Sequence, residues 1–200
     1  MPVSFFLLVF ILVLSPVSAF ASISSSNNDI GIFVDPDLPN KSNDWANIMT
    51  SNYYNFDNQT SYYWTAPEYA LISPYGKDTL CYNYFLQKVK SGGPWDYKRT
   101  YGYSTSYGFF GKSLTGEDFG NIHYGFVGKA YFTDTTLYAA AGLASIVDNG
   151  GFNMGDFNSY YDDPKDQRMI KIGIELYKRV VLNGQPWNAT TVNSAFNAVP

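Results

Sequence analysis

The sequence runs to 200 residues with 13 basic and 17 acidic side chains, a net charge of −4, and an aromatic share of 18% that rests mainly on 18 Tyr and 15 Phe. An acidic balance excludes the broad basic footprint that tight, non-specific nucleic-acid binding needs, though a small nuclease site is compatible with it. The lone Cys81 excludes an internal disulfide, and one His with one Cys falls short of the usual zinc ligand set.

The chain opens on an uncharged apolar block, Phe5 to Leu14, broken by Ser15 and Pro16; Ala19 and Ala21 then bracket Phe20. That order predicts a secretory signal peptide over residues 1–21, and hence a secreted, extracellular protein. Ten apolar residues rise only about 15 Å as a helix, so no stable membrane anchor is expected. Residues 22–45 are rich in Ser, Asn, Asp and Pro and predict a loose lead-in. Residues 46–76 are rich in Tyr and Asn with weak periodicity, which predicts short helices or loops packed by aromatics. Asn40, Asn58 and Asn188 each head an N-x-S/T triplet, a glycan acceptor in a suitable export route.

From residue 78 onward the helical signals are clear. Asp78 is a candidate cap for a helix whose stripe is Cys81, Phe85 and Val89, closed by Ser91, Gly92, Gly93 and Pro94. Residues 99–114 predict either a loop or a short hairpin. Thr115 with Asp118 forms a capping pattern for a glycine-containing segment to Ala130. Asp134 heads a helix through Leu137, Ala141 and Ala144 to Val147, with Gly150 beyond its end. Asp163 and Pro164 start the longest stripe, Ile170, Ile174, Tyr177 and Val181, which Gly184 closes. A short helix over 191–198 follows. The expectation is therefore a mainly α fold: a single compact helical domain with aromatic-rich loops, preceded by a signal peptide. Its parts are 1–21, a lead-in and aromatic-rich portion over 22–77, and the helical domain over 78–200.

Three polar segments are candidates for chemistry. Residues 92–98 read Gly-Gly-Pro-Trp-Asp-Tyr-Lys, a sharp turn that presents Asp96 and Lys98, a carboxylate and an anion clamp, beside Trp95 and Tyr97. Residues 118–128 hold His123, the only histidine, with Asn121 and Tyr124 among glycines that permit close approach. Residues 162–167 place Asp162, Asp163 and Asp166 at the front of the longest helix. Three carboxylates there suit Mg²⁺ or Ca²⁺, a general base, or plain helix capping, and Asp162 is the one capping explains least. No organic cofactor is expected.

These segments, in this order, resemble the bacterial polymorphic toxin type 44 domain: Gly92 to Lys98, Phe119 to Gly128, and Asp162 to Tyr177, with Leu137 to Gly142 similar to the family's leucine, alanine and glycine helix. The resemblance covers roughly residues 78–180. It implies a mostly helical toxin module, a kind usually found at the far end of large secreted bacterial proteins. Asp96, Lys98, Asn121, Tyr124, Asp162, Asp163 and Asp166 fall on matching motif positions.

The expectation is a secreted toxin-like effector that hydrolyses a polymer, with nucleic acid as the preferred substrate. In that scheme Asp96 or His123 is the general base, Lys98 stabilises charge on phosphate, and Asp162 completes the catalytic set. Trp95, Tyr97, Asn121, Tyr124, Asp163 and Asp166 are the candidate substrate-binding residues. One alternative is an extracellular peptidoglycan or glycan hydrolase that pairs Asp96 with Asp162, Asp163 or Asp166. Another is a non-catalytic secreted protein whose aromatic surface grips a glycan or a receptor.

Overall fold

The structure is a computed structural model, and it describes residues 37–148, 160 and 162–200. The expected signal peptide and most of the lead-in lie outside the described residues. So do the segment after the fifth helix and Gly150.

Helix α1 spans Ser42–Thr65, and it corrects the expectation of short helices or loops. Its buried positions are Ser42, Trp45, Ala46, Met49, Asn52, Phe56 and Thr60, a proper helical stripe. Three of those side chains are polar, so the stripe does not register as hydrophobic periodicity. Just before it, the expected loose lead-in is pinned. The Lys41 N–H donates to the Gly108 carbonyl at 2.8 Å, and the Gly108 N–H donates to the Pro39 carbonyl at 3.0 Å.

A 3₁₀ turn, Pro67–Tyr69, leads to α2, Pro74–Val89. This helix starts four residues ahead of Asp78, because Ser73 accepts from the Gly76 N–H and Pro74 occupies the first turn. Asp78 instead accepts a hydrogen bond from the Tyr131 hydroxyl at 2.5 Å. The 99–114 region resolves into the end of α3, Tyr97–Tyr101, and a hairpin of β1, Ser106–Phe109, with β2, Lys112–Thr115. Phe110 and Gly111 both take positive φ, 45° and 85°, as a tight two-residue hairpin turn demands.

Helix α4, Gly116–Gly128, carries the expected capping box in full: Thr115 accepts from the Asp118 N–H and Asp118 accepts from the Thr115 N–H. Helix α5 spans Asp134–Asp148, and Thr133 rather than Asp134 caps it, its Oγ1 accepting from the Thr136 N–H. Helix α6 spans Pro164–Tyr177, capped by Asp163 as expected. It passes into a π turn, Lys178–Leu182, so Val181 lies beyond the α-helix proper. Helix α7, Ala189–Asn197, begins two residues earlier than expected because Asn188 accepts from the Thr191 N–H. Among the described residues no helix is long and apolar enough to cross a membrane.

The centre of the fold is the crossing of α4 and α6, made possible by glycine. A Cβ on Gly125 would sit 2.2 Å from the Ile170 carbonyl oxygen, and one on Gly173 2.0 Å from the Ile122 oxygen. Each glycine costs about 1 kcal/mol of helix propensity relative to alanine, but without it the two backbones could not touch. Around this crossing lie Ile170, Ile172, Ile174 and Leu176 from α6 and Phe119, Ile122, Phe126 and Val127 from α4, all buried. Trp45 of α1 stacks on Phe119 with ring centroids 4.2 Å apart, which ties the first helix into the same core.

Candidate functional site

The three polar segments meet on one side of α4. Helix α3 rests against α4 at Gly120, where a Cβ would come within 2.8 Å of the Lys98 Cγ. A side chain at position 120 would therefore displace Lys98. Laid along that gap, the Lys98 ammonium reaches 3.9 Å from Asp166 Oδ2 and 4.0 Å from Glu117 Oε1. Lys98 comes from the first segment, Gly120 lies in the second with Glu117 just before it, and Asp166 belongs to the third. The front of α6 is fastened beside them, since Lys165 pairs with Asp118 at 2.8 Å.

Asp166 is the most perturbed carboxyl of this group. Burial pushes its pKa up from 3.8 to about 6, with Glu117, Asp162 and Asp163 adding to the rise and Lys98 opposing it. Its side chain is 19% exposed, so a proton can still enter and leave. Asp162 is buried and raised for the same first reason; it accepts from Gln167 Nε2 at 2.9 Å, a bond that pulls the other way. Gln167 also donates to the Tyr138 carbonyl at 3.2 Å, which fixes its orientation. Asn121 stands one helical turn after Glu117. It is buried, and its Nδ2 has no hydrogen-bond partner among the described residues. Such an orphaned donor costs about 1–3 kcal/mol unless a water or a ligand oxygen meets it.

The other predicted site residues are placed differently. Asp96 turns back on its own loop, accepting from the Gly92 N–H at 2.8 Å and pairing with Arg99 Nε at 3.1 Å. Trp95 is buried in the core against Phe85 and His123. Tyr97 lies against His123 at 4.7 Å and accepts through its hydroxyl from Asn52 Nδ2 at 2.8 Å. His123 itself is fully buried, and burial lowers its pKa from 6.5 to about 3. Asn52 Nδ2 lies 2.9 Å from His123 Nε2. An amide nitrogen only donates, so Nε2 must accept and the ring proton sits on Nδ1. The ring is thus neutral and enclosed by Trp95, Tyr97 and Phe119, with no route for proton exchange with substrate.

Tyr124 points its hydroxyl to the Leu137 carbonyl at 3.1 Å, and burial holds its phenol well above the ordinary range. It lines a small apolar cavity of ≈ 10 Å³ with Phe85, Phe132 and Leu137. Asp163 serves as the cap of α6, its Oδ1 accepting from the Lys165 N–H at 2.7 Å. Among the described residues no group of three or more His, Cys, Asp or Glu side chains is placed to hold a metal ion. Asp162, Asp163 and Asp166 therefore do not form a Mg²⁺ or Ca²⁺ cage with one another.

Glu117, Asp118, Lys165 and Gln167 were not among the predicted site residues. Glu117 and Asp118 look like ordinary first-turn acids of a capped helix, which hides them. The i, i+4 relation of Glu117 to Asn121 is the signal that could have found the first of them.

The described fold is a mainly helical domain that gathers one ammonium and several carboxyls from three separate segments into one charged centre. Residues 84–179 match the family described as Bacterial toxin 44, and all of the Lys98, Glu117 and Asp166 centre falls inside that span. The match covers just under half of the chain and points to a toxin-like effector. No curated protein and no solved structure matches the chain.

Proposed function

We propose that the protein is an exported effector that hydrolyses a glycan polymer, with Asp166 as general acid and Glu117 as the partner carboxylate. The observation that carries this reading is the shared ammonium. With Lys98 Nζ 3.9 Å from Asp166 and 4.0 Å from Glu117, the two carboxyls lie no more than about 8 Å apart, within reach of the separations that glycoside hydrolysis uses. Asp166, titrating at about 6, stays partly protonated in mildly acidic solution and can give its proton to a leaving oxygen. Glu117 is a third exposed; it serves as nucleophile or as the base for water. Lys98 holds both in register.

The preference for a glycan over nucleic acid rests on local charge. Glu117, Asp118, Asp162, Asp163 and Asp166 surround two lysines, Lys98 and Lys165, a field that repels a phosphodiester at the reacting position. Asp96 and His123 leave the catalytic set, one spent on its loop and the other sealed in the core. The nuclease reading survives in one form, with Lys98 clamping a phosphate and Asp166 as base.

Zymography on bacterial cell walls, run beside RNA and DNA digestion, separates the two. A clearing zone and new reducing ends, both lost in Asp166→Asn, are expected. Degraded nucleic acid with intact walls would overturn the glycan reading.

A further inference from the structure

The turn that delivers Lys98 carries a second feature. Residues 88–99 contain Lys88, Lys90, Lys98 and Arg99 against the single acid Asp96, in a chain whose net charge is −4. Backbone bonds fold this stretch tightly. The Trp95 N–H donates to the Lys88 carbonyl at 2.9 Å, and the Gly93 N–H donates to the Lys90 carbonyl at 2.7 Å. Gly92, with φ of 74°, makes the reversal. The result brings Lys88, Lys90 and Arg99 to one corner.

Each of the three is presented in a definite way. Lys88 is braced over the rings of Tyr84 and Trp95, at 5.0 and 5.7 Å from their centroids. Arg99 spends Nε on Asp96 and one Nη2 donor on Ser91 Oγ at 2.7 Å, while its side chain stays 60% exposed. A guanidinium has five N–H donors, so most of its fork still faces water. Lys90 is exposed, and its side chain makes no hydrogen bond or ion pair among the described residues. A basic corner thus adjoins an acidic reacting centre, since Lys98 directly precedes Arg99 in α3.

From this polarity we infer a binding subsite for carboxylates borne by the glycan strand, beside the hydrolytic centre. The inference rests on the glycan reading and narrows it: the substrate carries fixed negative charge, on its sugars or on attached peptides, a short distance from the bond that breaks. Neutral polysaccharides lack the group this corner recognises. Like charge around Asp166 keeps the anion from the reacting position itself, so the two patches together set the register of the strand.

Co-sedimentation and affinity electrophoresis test the subsite without any turnover, using full-length protein carrying Asp166→Asn. The probes are polygalacturonate, insoluble peptidoglycan, the neutral glucan laminarin, and a single-stranded RNA. Polygalacturonate and peptidoglycan should both be retained at low salt and released as salt rises; laminarin should not be retained. Retention of peptidoglycan alone would place the recognised carboxylates on the peptides rather than the sugars. Lys90→Glu should weaken retention roughly tenfold at low ionic strength while Lys90→Arg retains it, and an exposed position leaves folding intact. Equal binding of laminarin, indifference to Lys90→Glu, or a loss confined to RNA would overturn the inference. Retention of the acidic glycans by a protein that cleaves none of them would spare the subsite and sink the hydrolase.

Discussion

Helix α4 has two sides, and they behave in opposite ways. On one, Phe119 and His123 are sealed among Trp45, Trp95 and Tyr97. On the other, Glu117 and Gly120 border Lys98, which reaches Asp166, and these charged side chains stay partly exposed. The sole histidine, the residue type most associated with proton transfer, lies on the sealed side. A carboxyl that looks like routine helix capping lies on the charged one. Environment, more than residue type, decides which group can move a proton.

The comparison can be broken most sharply at Asp166. Asp166→Asn should lower hydrolysis by about 10²–10⁴, the usual worth of a general acid. Loss of the crossing that supports both sides comes next. Gly125→Ala forces a methyl to 2.2 Å from the Ile170 oxygen and should cost about 1–3 kcal/mol or more, read as a lower denaturation midpoint. On the sealed side, His123→Phe removes one of the two acceptors of Asn52 Nδ2, leaving Tyr97, and should cost about 1 kcal/mol in stability. Activity per folded molecule should be kept, and His123→Asn, which restores an acceptor, should recover part of the loss.

The two sides also respond oppositely to pH. Asp166 binds its proton more tightly folded than unfolded. The stability it contributes is therefore present below 3.8 and is lost as pH rises through about 6. Asp166→Asn should then raise stability at pH 7 by on the order of 2 kcal/mol, with the gain fading towards pH 4. His123, lowered from 6.5 to about 3, contributes stability above 6.5 that is lost as pH falls towards 3. Its ring resonances should show a neutral imidazole down to pH 4. The smallest effect is expected at Asp96, where Asp96→Ala should loosen the turn by about 1 kcal/mol, seen as faster amide exchange at Gly92.

Much of the helical order could be read in advance, for physical reasons that also explain the misses. Helices α4 and α6 announce themselves through Thr115, Asp118, Asp163 and Pro164, local signals that tertiary packing only reinforces. Helix α1 is hidden because Asn52 and Thr60 point inward, so burial there does not follow hydrophobicity. Lys98, Asn121 and Asp166 were legible as polar residues within the family's motif blocks. Trp95, Tyr97 and His123 misled because a ring with a polar tip serves a core as readily as a binding surface. Which of these meanings applies depends on contacts distant in sequence, such as Asn52 with His123, that no local pattern records.

The pH–activity profile on cell-wall glycan tests the central claim most directly. If Asp166, held beside Lys98 and Glu117, supplies the proton, turnover should fall as pH rises through about 6, and Asp166→Asn should remove that dependence while lowering turnover by about 10²–10⁴. A profile flat from about pH 5 to 8, or an Asp166→Asn protein that clears the wall as fast as the parent, would contradict the account.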